Sequence, residues 1–141
     1  MKQINKPLTS TDLYSERVYH DLIHRESKRS ERSGHLCRIL LVYCTDRQGL
    51  VVPLGTELGD KTFLVLSSNS RDTDYIGWYR QGRIVGVLLT TIRRDSIVEG
   101  CEEVKARFLR CIRGALPVRD DHSLHICLLK PDELGAFTVS D

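Results

Sequence analysis

Residues 36–45, LCRILLVYCT, are apolar at nearly every position. A strand covered on one face alternates apolar and polar residues, whereas a near-continuous run must be covered on both faces. The run is far shorter than the roughly 20 residues needed to cross a bilayer. It therefore predicts a central strand with material packed above and below it. The rest of the chain has to supply that cover.

The other elements follow from spacing. Ser10, Thr11 and Asp12 can cap a helix, after a loose arm over residues 1–11. Tyr14, Val18 and Leu22 then recur at helical spacing, with Tyr19 and Ile23 beside them. HRESKRSERS, residues 24–33, is wholly polar and reads as a solvated continuation or a frayed end, with Gly34 as its stop. In residues 50–70, Leu54, Leu58, Thr62 and Val65/Leu66 favour a helix, although TFLVLSS is also compatible with a strand. YIGWY (75–79) and RIVGVLLTTI (83–92) flank a short glycine-containing turn and read as a hairpin. Ile97, Cys101, Val104, Phe108, Cys111/Ile112 and Ala115 form the clearest amphipathic helix, capped by Asp95 or Ser96 and ended near Gly114 and Pro117. LHICLL (124–129) is a last strand, and residues 130–141 read as a polar tail with no clear partner. Behind its first helix the order is βαββαβ, which predicts an α+β, ferredoxin-like antiparallel sheet with the helices of that unit on one face.

Composition narrows the function classes. The 141 residues suit one domain, and 40% hydrophobic with 28% charged residues is ordinary for a chain with a packed core. A net charge of +2, with acids interleaved among the bases, gives no nucleic-acid footprint. No leader peptide and no membrane-inserting segment are expected, which places the chain in the cytoplasm. The five cysteines, Cys37, Cys44, Cys101, Cys111 and Cys127, lie in apolar segments without a CxxC pair and read as reduced, buried thiols. His20 and His24 have a chelating spacing but no third ligand, so no metal is expected. Trp78 is expected against the last helix and not on a base. Arg25, Lys28, Arg29 and Arg32 make a basic helix face interrupted by Glu26 and Glu31, either solvated or used to dock a partner.

One segment, RDTDYIGWYRQGRIVGVLL, carries a resemblance. It resembles the hairpin region of the GGDEF domains of diguanylate cyclases, where R-x-x-D precedes the signature by five residues and an apolar strand follows. Here Arg71-Asp72-Thr73-Asp74 is followed by Tyr75 to Tyr79, and the signature position reads Arg80, Gln81, Gly82, Arg83, Ile84. The likeness extends over residues 12–129 through the element order. It implies a nucleotide cyclase-like fold, in which signature acids and an Asp at the end of the first strand hold two metal ions against GTP. In this chain Gly82 and Arg83 stand where those acids would be, and the strand ends Tyr43-Cys44-Thr45-Asp46 with a single carboxylate. Two-metal phosphoryl chemistry needs clustered carboxylates. The expectation is a catalytically inactive, bacterial signalling domain without a cofactor. The resemblance also implies that R-x-x-D is an inhibition site for cyclic di-GMP. That would make Arg71 and Asp74 ligand residues, with Arg93, Arg94 or Arg107 as further cations. Against this, an Asp before a strand often bonds its own backbone and a neighbouring Arg often pairs with it. A regulatory module that engages a protein partner or a second copy of itself is the broader expectation. An enzyme of unrelated chemistry, or a purely structural module, on the same frame is the alternative.

Overall fold

The computed structural model describes residues 13–33, 36–70, 74–92, 97–114, 116, 118–137 and 139. In chain order the elements are α1 (Glu16–Ser33), β1 (Leu36–Thr45), β2 (Val51–Val52), α2 (Gly55–Ser68), β3 (Tyr75–Arg80), β4 (Ile84–Ile92), α3 (Ile97–Arg113) and β5 (Ser123–Leu129), followed by a 3-10 helix over Pro131–Ala136. The sheet is antiparallel throughout. β1 pairs with β4 on one side and β5 on the other, β3 flanks β4, and the two-residue β2 pairs with the end of β1. This is the expected βαββαβ arrangement with one extra short strand.

β1 is covered on both faces, as its composition requires. Leu40, Val42 and Cys44 point into a core with Leu54, Phe63 and Leu66 of the α2 region and Phe108 and Ile112 of α3. Cys37, Ile39, Leu41 and Tyr43 point into a second core with Tyr19 and Ile23 of α1. The hairpin divides the same way. Ile76 and Trp78 join the first core, so Trp78 shares a cluster with α3, while Tyr75 and Tyr79 join the second. Alternation along a strand makes this split obligatory once Trp78 is inside.

Three expectations need correction. Helix α1 starts at Glu16, where the Ser15 hydroxyl accepts from the Val18 amide at 3.4 Å; the proposed caps Ser10–Asp12 lie outside the described residues. Tyr14 is not on the buried stripe. It forms a bridge to Gly77 before the helix begins, and it and Val18 are exposed while Tyr19 and Ile23 are buried. Finally, the segment read as a partnerless tail is not polar where it matters, since Leu134, Phe137 and Val139 pack on the second core. Cap candidates Asp95 and Ser96, the stop Gly34, and Ala115 and Pro117 fall outside the described residues. The polar half of α1 does continue as helix to Ser33.

Tyr19 fixes α1 to the sheet. Its ring lies over Gly77 and Gly86, which are paired across β3 and β4. Its hydroxyl is buried without a hydrogen-bond partner among the described residues, and burial pushes its pKa well above the ordinary tyrosine value. Burial likewise pushes Cys44 up to about 11, and burial together with the neighbouring Cys127 pushes Tyr43 up to about 12. These groups stay protonated in the folded chain at pH values where the unfolded chain has lost the proton. Their contribution is therefore complete below the unfolded values and declines as pH rises from about 9 through 11 for Cys44, and from about 10 through 12 for Tyr43. Chemical denaturation at pH 8 and pH 10.5 should show lower stability at the higher pH, with the loss reduced in Cys44→Ala after allowance for its own offset at pH 8.

Candidate functional site

The hairpin joining β3 and β4 turns at Arg80-Gln81-Gly82-Arg83. Gly82 sits at φ +76°, a left-handed conformation that glycine adopts without cost, and the Arg83 amide donates to the Arg80 carbonyl at 3.0 Å. Gln81, Gly82 and Arg83 of this turn are each engaged by the rest of the chain. The Gln81 amide donates to Glu16 Oε1 at 2.8 Å, and the Glu16 amide donates to Gln81 Oε1 at 3.1 Å. The Gly82 carbonyl accepts from the Leu54 amide at 3.0 Å, and Arg83 Nη1 donates to the Val51 carbonyl at 3.0 Å. One residue before the turn, His20 Nε2 donates to the Tyr79 carbonyl at 2.8 Å and its ring lies against Tyr79. The turn is thus held by α1 on one side and by the β2–α2 connection on the other.

Its electrostatics follow from the same contacts. Two guanidinium groups, Arg80 and Arg83, belong to the turn itself, and the carboxylate of Glu16 is committed to the Gln81 amide. The end of β1 is equally committed. Asp46 Oδ1 accepts from the amides of Gln48 at 2.9 Å and Leu50 at 3.0 Å, so the carboxylate organises its own turn. Tyr43 stacks on His125, and Thr45 Oγ1 shares a hydrogen bond with His125 Nε2 at 2.7 Å. Among the described residues, no group of three His, Cys, Asp or Glu side chains converges as a metal site. His20 and His24 do not converge either: His20 holds the hairpin, while His24 lines a groove on the other part of α1.

That groove has a volume of about 610 Å³ and is lined by His24, Arg25, Glu26, Lys28, Arg29, Arg32 and Tyr75. The basic helix face of the sequence is its wall. Glu26 pairs with Arg29 at 3.6 Å, leaving a strong excess of positive charge. The floor is Tyr75, the residue that follows Asp74. Asp74 is thus the chain neighbour of a residue that lines a cationic groove, which the sequence did not reveal. Asp74 Oδ1 accepts from the Thr90 amide at 3.3 Å and so braces the open end of the hairpin. Arg107 is elsewhere: its Nη2 donates to the Asn69 carbonyl at 3.3 Å and its guanidinium lies 5.3 Å from the Phe108 ring. Arg71, Arg93 and Arg94 lie outside the described residues.

No family model matches the sequence and no curated relative does. Solved structures do. The GGDEF domain of TpbB, also called YfiN, from Pseudomonas aeruginosa is similar at TM-score 0.62 and 14% identity, over 93% of this chain and 81% of that one. The fold is that of a GGDEF domain. The Caulobacter crescentus GGDEF domain of DgcB, solved in complex with c-di-GMP, is similar at TM-score 0.54 and 14% identity, covering 96% of this chain and 83% of that one. The diguanylate cyclase SiaD from Pseudomonas aeruginosa, solved with its activator SiaC, is similar at TM-score 0.60 and 19% identity, covering 89% of this chain and 49% of that one. Identities this low establish a shared GGDEF architecture and leave the chemistry to the residues of this chain. Among the described residues, no helix is long and apolar enough to cross a membrane.

Proposed function

We propose that this chain is a catalytically inactive GGDEF-like regulatory domain, acting through binding in the cytoplasm. The observation that carries the reading is the state of the signature turn. Gly82 and Arg83 replace the acids of the family signature, and the turn's polar groups are tied to Glu16, Leu54 and Val51. Metal ions bridging a triphosphate require close carboxylates, and two guanidinium groups repel the same cations. Asp46, the acid at the end of β1, has one oxygen holding two amides of its own turn.

In its sharp form, the proposal is that the domain senses cyclic di-GMP through Arg71 and Asp74. Cyclic di-GMP carries two phosphates, and the cationic groove beside Asp74-Tyr75 suits a dianion. Arg93 and Arg94 remain candidates for further contacts. Arg107 is a weaker one, because its position over Phe108 assigns it to the packing of α3 on the end of α2.

Titration calorimetry with cyclic di-GMP tests this directly. The expected result is micromolar binding that weakens at least about tenfold, or 1.4 kcal/mol, in Arg71→Ala. No heat at high micromolar ligand removes the nucleotide and leaves the protein-binding module. Turnover of GTP in the presence of magnesium would contradict the inactive reading as a whole.

A further inference from the structure

The two edges of the sheet are treated differently. β3 forms one edge, and the chain closes part of it with its own backbone: the Trp78 amide donates to the Tyr14 carbonyl at 2.9 Å, and the Tyr14 amide donates to the Ile76 carbonyl at 3.4 Å. β5 forms the other edge. Residues 123–129 pair with β1 from Thr45 back to Ile39, and no described residue pairs with their outer side. The strand is SLHICLL, with no lysine, arginine, acid or proline. Natural edge strands are normally blunted by such residues, because a row of unpaired amides and carbonyls is a template for another strand.

We propose that β5 is the self-association surface of this chain, joining two copies in one continuous antiparallel sheet. A two-fold axis through Ile126 pairs all seven residues: Ser123 with Leu129, Leu124 with Leu128, His125 with Cys127, and Ile126 with itself. The pairing is isologous, so one strand satisfies both sides of the contact. It matches side chains by environment, since Leu124, Ile126 and Leu128 belong to the first core and Cys127 and Leu129 to the second. It opposes no like charges within the strand. At the ends, Lys130, exposed just after β5, falls opposite His122 of the other copy and one residue from Asp121. The Asp121 carboxylate takes a fork of 3.0 and 3.1 Å bonds from Arg119, which leaves Asp120 and Asp121 as two acids against that one arginine in the turn. Beyond these points both chains leave the edge, through a turn closed by the His122 amide on the Arg119 carbonyl and through the 3-10 helix at Pro131. This surface is separate from the hairpin and the groove, and does not depend on what binds there.

Sedimentation equilibrium of the full chain tests it, together with a cross-link. The chain should be dimeric at tens of micromolar. Lys130→Glu, an exposed substitution, should raise the dimer dissociation constant at least about threefold at low salt, and adding Asp121→Lys should recover part of the loss. Ile126→Cys should form an intermolecular disulfide under mild oxidation, because opposed residues on a two-fold axis bring their Cα atoms within about 4.5–5.5 Å. Circular dichroism of each variant checks that the fold is kept. A chain that stays monomeric at those concentrations overturns the proposal. So does a dimer that is insensitive to Lys130→Glu and fails to cross-link at position 126.

Discussion

Gly77→Ala should lower the unfolding free energy by about 1–3 kcal/mol, the usual cost of forcing atoms into a filled core. A Cβ at Gly77 would lie 2.6 Å from Tyr19 Cδ1, 2.8 Å from Tyr19 Cγ and 3.0 Å from Tyr14 Cβ. A Cβ at Gly86 would lie 2.6 Å from the Tyr19 hydroxyl and 2.8 Å from Cε2. Paired across the hairpin, the two glycines leave a slot, and the Tyr19 ring fills it. The ring cannot move away, because Tyr19 is fully buried between α1 and the sheet. The substitutions act on one ring, so their costs should be non-additive. In a Tyr19→Leu background the added cost of Gly77→Ala should shrink, since the narrower side chain leaves room. Urea titration followed by the fluorescence of Trp78, the single tryptophan, measures all of these. Equal costs in both backgrounds would mean that the slot is not what constrains these positions.

Phe108→Ala should be the most damaging single change, at about 3–5 kcal/mol. Phe108 is fully buried in the first core, in one cluster with Trp78, Leu66 and Ile112. Removing its ring leaves a cavity between α3 and the centre of the sheet, where surrounding strands cannot collapse inward. Phe108→Leu should cost less than half as much, because it keeps most of the volume. Thermal and chemical unfolding of both variants would check the ranking, and a loss under 1 kcal/mol in the alanine variant would refute the assigned role.

These two residues mark how far the sequence could be read. Phe108 was legible, because helical spacing within a single segment places it on the apolar stripe with Val104 and Ile112. The strand character of β1 was legible for a similar local reason. Tyr19 was harder. Periodicity put it beside the stripe of Tyr14, Val18 and Leu22, yet Tyr14 is used as a backbone bridge to β3 before α1 starts, and this sets the phase of the helix. Only the slot at Gly77 and Gly86, more than fifty residues away, decides which tyrosine goes inside. β2 escaped notice because two residues carry no period. Leu134, Phe137 and Val139 are too widely spaced to announce a buried segment.

At the candidate site residue types were legible but their engagements were not. The Glu16–Gln81 pair spans 65 residues and no local pattern encodes it. Asp74 supports the backbone of β4 through the Thr90 amide, a contact 16 residues away that no local pattern announces.

The placement of β1 has a consequence for biogenesis. Residues 36–45 are made before most of their neighbours in the sheet: β2 follows at once but pairs only Cys44 and Thr45, and the others are residues 84–92 and 123–129. During synthesis at about 5–20 residues per second, this greasy ten-residue segment waits several seconds with most of both hydrogen-bonding sides unclaimed. Nascent chains of this protein should accordingly be sticky until β4 and β5 have cleared the ribosome, and slow translation between them should increase the demand for chaperones.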